Sequence, residues 1–187
     1  MNTRMRQITT GLVFILSLSM ASQVFALPAT GTVDVYFSPN GGSEQAIVNE
    51  IDHARSEILV QAYSFTNVPI AKALLSAHKR GVHIEALLDK SQRSEKYTAA
   101  TFLTNVGIPV LIDDSHKIAH NKIIIIDRNV LITGSFNFSK TAEHGNAENL
   151  LVLKGNQALT DRYIRNYEEH KAHGEPYEFV PKARSRR

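Results

Sequence analysis

Four consecutive isoleucines, at positions 123–126, constrain the fold of this chain more than any other stretch. Side chains alternate between the two faces of a strand, so this run is apolar on both faces and suits a strand that is covered on both sides. A second apolar segment begins at Val130, after a short polar stretch at 127–129. Together the two segments predict a β-hairpin that lies inside a sheet.

Polar side chains stand at the open end of this predicted hairpin. His120 and Lys122 precede the isoleucines, and Ser135 and Asn137 follow the second apolar segment. A two-residue loop at 128–129 would place Lys122 opposite Ser135, and the same register would place His120 opposite Asn137. One imidazole, one ammonium, one hydroxyl and one amide would then converge on one patch. Such a patch suits a phosphate ester, because three of these groups donate hydrogen bonds to anionic oxygens and a neutral imidazole is a nucleophile or base.

Asp127 follows the isoleucines directly. Alternation places its side chain on the opposite face from His120 and Lys122. The two-residue loop would pair it with Val130. We therefore predict that Asp127 orders the hairpin and takes no part in the chemistry.

The spacing of these residues resembles the signature of the phospholipase D superfamily. That signature reads H-x-K-x4-D and is followed after six residues by G-S-x-N. The matching residues of this chain are His120, Lys122, Asp127, Gly134, Ser135 and Asn137. The segments at 63–66 and 80–89 also resemble the family's pattern, so the resemblance covers nearly all of the chain after residue 26.

The resemblance implies a metal-independent phosphodiesterase that works in two displacement steps and needs no cofactor. His120 would attack phosphorus to give a covalent phosphohistidine, while Lys122 and Asn137 hold the non-bridging oxygens. Glu148 occupies the position where the family carries an acidic residue that orients the histidine. Ser135 would support the hydrogen bonding of the site and would not act as a nucleophile.

Family enzymes carry two copies of the motif, and this chain carries one. None of the other seven histidines begins a second H-x-K-x4-D. The resemblance therefore implies a two-fold homodimer with a shared active site. In such a dimer, His120 of one subunit is the nucleophile and His120 of the other subunit gives a proton to the leaving oxygen.

The sequence predicts no metal site. His116 and His120 are four residues apart, a spacing that could bind a metal ion on a helix, but the residues between them lead into a strand and no carboxylate is obviously placed. We take the remaining histidines to be ordinary surface residues. The absence of cysteine excludes thiol catalysis, thiolate zinc sites and disulfides.

The resemblance to small single-motif members of the superfamily implies a non-specific endonuclease. Such enzymes cleave DNA, and in some cases RNA, without added metal. The chain has no aromatic-rich series for stacking on bases, so phosphate contacts should dominate its binding of nucleic acid. Two alternatives stay open: a phospholipid phosphodiesterase that acts on cardiolipin, and a nucleic-acid-binding protein that has lost catalysis.

Residues 1–26 have the composition of a secretory signal peptide. Arg4 and Arg6 precede an apolar segment at 11–21, and the small-residue cleavage site is 24–26. This apolar segment is shorter than the roughly 20 residues that a spanning helix needs. We therefore expect export, to the periplasm or the medium, and no stable membrane association after cleavage.

Charge gives little information about the partner. The net charge of +3 falls to about +1 once residues 1–26 are removed, because Arg4 and Arg6 are lost. A basic tail at 182–187 holds four of the remaining positive charges. It suits loose binding of a polyanion and a solvated chain end equally well.

Residues 27–187 alternate strand-like and helix-like segments and are predicted to form one phospholipase D-like domain. Before and after the hairpin, strands are predicted at 32–38, 58–65, 82–88, 110–112 and 149–153, and helices at 44–54, 69–79, 97–106 and 157–172. Strands separated by helices predict an α/β fold. We expect a mixed, largely parallel β-sheet flanked by helices on both faces.

Overall fold

The computed structural model describes residues 26–95 and 97–178. All but the last residue of the predicted signal peptide, and the whole basic tail at 182–187, lie outside the described residues. Within the described part of the chain, no helix combines the length and the apolar character that crossing a membrane requires.

The described residues form one eight-stranded mixed sheet. Its strands are β1 (Thr32–Ser38), β2 (Glu57–Ala62), β3 (His83–Asp89), β4 (Val110–Asp113), β5 (Lys122–Ile126), β6 (Val130–Gly134), β7 (Glu148–Lys154) and β8 (Glu175–Pro176). They lie in the order β1-β7-β6-β5-β2-β3-β4-β8. The predicted hairpin, β5 and β6, therefore occupies the middle of the sheet.

Helices cover both faces of this sheet, as predicted. In the described chain the α-helices are α1 (Ser43–Asp52), α2 (Val68–Lys79), α3 (Ala99–Asn105), α4 (Lys140–His144) and α5 (Gln157–Lys171). The first four pack on one face, where Ile47, Leu74 and Leu103 belong to the larger buried core. On the other face, Ile164 and Tyr167 of α5 pack in a smaller apolar cluster.

Asparagine side chains determine where two of these helices begin. Asn67 Oδ1 accepts a hydrogen bond from the Ile70 amide at 2.9 Å at the start of α2. Asn156 Oδ1 accepts one from the Leu159 amide at 3.1 Å at the start of α5. Each cap satisfies an amide that has no partner within its helix. Only two residues, Gly155 and the cap Asn156, lie between β7 and α5.

The predicted mixed α/β fold is confirmed, but the sheet is mostly antiparallel and not largely parallel. Only the β2–β3 and β3–β4 pairs are parallel, and the other five pairs are antiparallel. Alternating strands and helices give parallel neighbours only when successive strands lie side by side. Here β5, β6 and β7 lie between β1 and β2, and the tight connection from β5 to β6 forces an antiparallel pair.

The predicted register of the hairpin is also wrong, by one residue. Ile126 pairs with Val130, and Ile123 pairs with Thr133. Three residues rather than two therefore connect the strands. The expected pairs, which set 127 opposite 130, 122 opposite 135 and 120 opposite 137, are displaced accordingly.

The backbone of the turn explains this difference. Asp127 and Arg128 adopt left-handed conformations with φ of 49° and 54°. The Asn129 amide donates a hydrogen bond to the Ile126 carbonyl at 3.0 Å. Residues other than glycine rarely adopt positive φ, so the local sequence gives little warning of such a turn.

Asp127 ties this turn to the segment that leads into β2. Its carboxylate accepts hydrogen bonds from the backbone amides of Arg55, Ser56 and Glu57 at 2.9, 2.8 and 3.0 Å. It also accepts one from the Ser56 hydroxyl at 2.7 Å. Burial alone would raise the pKa of this carboxyl, but the hydrogen bonds outweigh burial and hold the pKa below its usual value. Asp127 thereby holds the end of the hairpin that lies away from His120.

We expect Asp127→Asn to lower the free energy of unfolding by about 1–3 kcal/mol, because the amide keeps only one of the two acceptor oxygens. Asp52→Asn, at an exposed aspartate, is the matched control and should change it little. Equilibrium unfolding in urea measures both values.

The same pair of proteins tests the pH dependence of this contact. The pKa of Asp127 is lower in the folded chain, so its stabilisation is present above the unfolded pKa and is lost as the pH falls through the folded pKa. The gap in stability between the parent and Asp127→Asn should therefore shrink in acid. A gap that stays constant would contradict a role for the ionised carboxylate.

Candidate active site

His120 lies two residues before β5, at the end of the loop that follows β4. The Asn121 carbonyl accepts a hydrogen bond from the Tyr63 amide at 2.9 Å, which fixes this part of the loop beside the end of β2. His120 is exposed, and its ring packs against the Tyr63 ring with the centroids 4.6 Å apart. The imidazole is thus open to a ligand while the backbone that carries it is fixed.

Lys122 is the first residue of β5 and is buried. Its ammonium donates a hydrogen bond to the His120 carbonyl at 2.7 Å and lies 5.3 Å from the centre of the Tyr63 ring, within range of a cation–π contact. Burial lowers the pKa of Lys122, and the charge of Glu148 opposes that shift. The ammonium is therefore partly stripped of water and held next to His120.

Gly134 and Ser135 connect the end of β6 to the neighbouring strand. The Ser135 amide donates a hydrogen bond to the Asn149 carbonyl at 3.1 Å, and the Asn149 amide donates one to the Ser135 hydroxyl at 3.0 Å. A Cβ atom on Gly134 would lie 2.3 Å from that Asn149 carbonyl oxygen. The glycine is required because the two backbones approach this closely.

Asn137 lies between Phe136 and Phe138, which are both fully buried. The Phe138 ring packs edge-on against Phe65, with the centroids 5.7 Å apart. These two anchors fix the backbone on both sides of Asn137. Its Oδ1 atom is buried and has no hydrogen-bond partner within the described chain, and the residue lines a pocket together with His120 and Lys122.

Glu148 begins β7. Its backbone amide donates a hydrogen bond to the Ser38 hydroxyl at 3.2 Å, and its carboxylate accepts one from the Asn146 side chain at 2.9 Å. Among the residues that the structure describes, no hydrogen bond joins this carboxylate to the His120 ring. Orientation of His120 by Glu148 therefore stays a prediction.

One pocket of about 330 Å³ gathers nearly all of the predicted site residues. It is lined by His120, Lys122, Gly134, Ser135, Asn137 and Glu148. Asp127, at the opposite end of the hairpin, is not among them, as the alternation of side chains predicted. The pocket presents an exposed imidazole beside an ammonium and an amide, an arrangement that can bind an anionic ester and attack it.

Four further residues near this pocket were not predicted as site residues. Tyr63 contacts both His120 and Lys122 through its ring. Arg162, Tyr163 and Asn166 of α5 line an adjoining groove of about 420 Å³ that shares His120 and Lys122 with the pocket. The spacing of 162 and 166 places both on one face of a helix, but only the packing of α5 on the sheet brings that face to His120.

Comparison with known proteins is consistent with this arrangement. The family model described as "Cardiolipin synthase, PLD-like domain" matches residues 47–171. A phospholipase D of Rickettsia felis is 41% identical over 140 residues, which are 75% of this chain and 70% of that protein. A mitochondrial cardiolipin hydrolase of Mus musculus is 29% identical over 116 residues, 62% of this chain and 50% of that protein.

A solved structure has the same architecture over its whole length. The phospholipase D family member Nuc from Salmonella typhimurium superposes with a TM-score of 0.77 at 34% sequence identity, covering 80% of this chain and 99% of that chain. The shared fold, the family match and the gathered H-x-K-x4-D and G-S-x-N residues lead to one conclusion. This chain belongs to the phospholipase D superfamily.

Proposed function

We propose that this protein is a metal-independent phosphodiesterase that cleaves the backbone of nucleic acid, DNA above all and RNA as a further substrate. The observation that carries the proposal is the pocket that exposed His120 lines together with buried Lys122 and the side chain of Asn137. These groups supply the nucleophile and the fixed hydrogen-bond donors that phosphoryl transfer needs. The fixed ammonium does the work that a divalent cation does in many other phosphodiesterases.

The reaction proceeds in two balanced steps. A ring nitrogen of His120 forms a bond to phosphorus while the bond to the leaving oxygen breaks, and a second histidine gives that oxygen a proton. Water then attacks the phosphohistidine, the second histidine takes a proton from the water, and the bond between phosphorus and nitrogen breaks. The products are a phosphomonoester and an alcohol. Lys122 and Asn137 stabilise the negative charge that builds up on the non-bridging oxygens.

The second histidine comes from a second copy of the chain. Only His120 begins the H-x-K-x4-D motif, and one imidazole cannot attack phosphorus and protonate the oxygen on its far side in the same step. A two-fold dimer brings a residue against its own copy and completes the pair. The site is therefore incomplete in a single chain.

An exposed apolar surface beside the pocket supports such a dimer. The apolar edge patch consists of Val33, Val35 and Phe37, which are 54%, 50% and 65% exposed. They share one face of β1 because they alternate along the strand, and β1 is the edge strand of the sheet. Phe37 pairs with Asn149, the residue after Glu148. A second copy seated on this patch would lie next to the pocket.

The groove along α5 favours a polymeric substrate. Arg162 and Asn166 extend the polar surface away from His120 and Lys122. A nucleic-acid chain with a phosphate at every nucleotide can occupy both the pocket and the whole of this groove, whereas a phospholipid offers one phosphate, or two in cardiolipin.

The second candidate function is hydrolysis of a phospholipid such as cardiolipin. The names of the Rickettsia felis and Mus musculus relatives, a phospholipase D and a cardiolipin hydrolase, support it. The two candidates share the chemistry of His120 and differ in substrate.

We expect purified protein to nick supercoiled plasmid DNA in excess chelator, and His120→Ala to lower the rate by at least about 10³-fold, since it removes the nucleophile. His53→Ala is the matched control. It replaces an exposed histidine that does not line the pocket around His120, and it should retain the parent's rate. Labelled DNA phosphate bound covalently to the parent, stable in alkali and released by acid as a bond between phosphorus and a histidine nitrogen is, and absent from His120→Ala, would identify the covalent step.

Vesicles that contain cardiolipin, assayed with the same three proteins, separate the alternatives. Hydrolysis of lipid without nicking would replace the nuclease proposal by the phospholipid one. Binding of DNA by a parent that cleaves neither substrate would indicate a protein that has lost catalysis.

The pH dependence of cleavage tests the pairing of two histidines. One His120 must be neutral and its copy protonated, so kcat/KM should rise and then fall as the pH is raised. Burial lowers the pKa of Lys122, so loss of its proton adds to the fall on the alkaline side. A rate that rises steadily through alkaline pH would rule out the paired-histidine scheme.

Disruption of the apolar edge patch tests the shared site. We expect Val35→Asp to give monomers by sedimentation and to remove cleavage while circular dichroism stays that of the parent. Val68→Asp, at an equally exposed valine on α2, is the matched control and should leave both dimer and rate intact. Full activity of a monomeric Val35→Asp protein would refute a site built from two chains.

A further inference from the structure

A cluster of three histidines surrounds one buried aspartate outside the candidate active site. Asp113 ends β4, His116 follows in the next loop, and His170 and His173 stand at the C-terminal end of α5. The Asp113 carboxylate lies 2.7 Å from His170 Nδ1, 2.9 Å from His116 Nδ1 and 3.3 Å from His173 Nε2. One donor atom from each residue falls within 4.8 Å of all the others.

We propose that Asp113, His116, His170 and His173 bind a divalent transition-metal ion, and that zinc fits them best. Three imidazole nitrogens and one carboxylate oxygen are borderline-soft ligands, and four of them make the tetrahedral set that zinc adopts in structural sites. The sequence analysis predicted no metal site and considered His116 only with His120. In the structure, His116 lies instead beside Asp113 and two histidines at and just after the end of α5.

The spacing of the donors suits such an ion. Zinc lies about 2.0–2.1 Å from histidine nitrogen, so tetrahedral donors stand about 3.3 Å apart. The distances of 2.7–3.3 Å from the carboxylate already fall near this value. The widest separation of 4.8 Å has to shorten by about 1.5 Å, and rotation of the imidazoles supplies that change.

The surroundings of the cluster match a built site with an entry path. The Asp113 side chain is only 1% exposed, while His116 and His173 are 46% and 35% exposed. The three rings lie around the carboxylate, tilted against one another, with centroids 4.6–5.6 Å apart. Without an ion, three imidazoles compete for the two oxygens of one carboxylate. With an ion, each of the four side chains has its own bond.

The position of the cluster indicates a structural role. None of the four residues lines the pocket around His120. The ion would join the end of α5 to the start of the loop that carries His120. The far end of that loop is already fixed, because the Ala119 amide donates a hydrogen bond to the Asp89 carboxylate at 2.7 Å. Metal at this site would therefore stabilise the loop and the helix and take no part in phosphoryl transfer.

The test is binding of Zn²⁺ and Co²⁺ by purified, tag-free protein after treatment with chelator. We expect one ion per chain by calorimetry, a visible absorption spectrum of tetrahedral Co²⁺, and a higher melting temperature with Zn²⁺. His170→Ala/His173→Ala removes two ligands and should weaken metal binding by more than roughly 10- to 100-fold. That range is typical when a residue that only hydrogen-bonds to a metal ligand is replaced. It should also abolish the Co²⁺ spectrum.

Two controls keep the outcome interpretable. His53→Ala/His83→Ala removes two exposed histidines outside the cluster and should bind both ions as the parent does. If the double variant in α5 does not fold, Asp113→Asn and His173→Ala alone serve in its place. A folded parent that binds neither ion would refute the metal site, and so would a folded ligand variant that binds them as tightly as the parent. The cluster would then be held together by hydrogen bonds alone.

Discussion

The burial of β5 on both faces is the constraint on which the rest of this structure depends. Ile124 and Ile126 belong to the larger core beneath α1 to α4, whereas Ile123 and Ile125 belong to the smaller core beneath α5. One strand thus joins the two apolar layers, and β2 and β6 satisfy its backbone on both sides. A strand held in this way moves little, and Lys122 stands at its first position. The rigidity of the candidate site follows from this double burial.

Sequence alone predicted the features that depend on local periodicity. The isoleucine run predicted the central strand, and the polar residues at the open end of the hairpin do line one pocket with Glu148. The register failed because Asp127 and Arg128 take left-handed conformations that no glycine signals. The predicted residues line one pocket despite this error, because His120 precedes β5 and strict alternation between faces does not apply there. The parallel sheet failed because the order of strands is a long-range property that local pattern does not contain.

The features that sequence did not predict all arise from contacts between distant segments. Tyr63 reaches His120 because the end of β2 is paired with the start of β5. Arg162 approaches the pocket only through the packing of α5 on the sheet. The histidine cluster has the same origin: one pair comes from 113–116 and the other from 170–173. Each pair alone has an unremarkable spacing of three residues, and only the fold joins them.

The packing of α5 separates the residues that line the groove from the candidate reacting groups. Its Ile164 and Tyr167 enter the smaller core, while Arg162 and Asn166 face the groove beside His120. The candidate reacting groups lie at the start of β5 and β7 and in the segments next to β5 and β6. Under the proposed function, replacement of Arg162 or Asn166 would therefore change which phosphodiester the groove accepts and would leave the reacting groups in place.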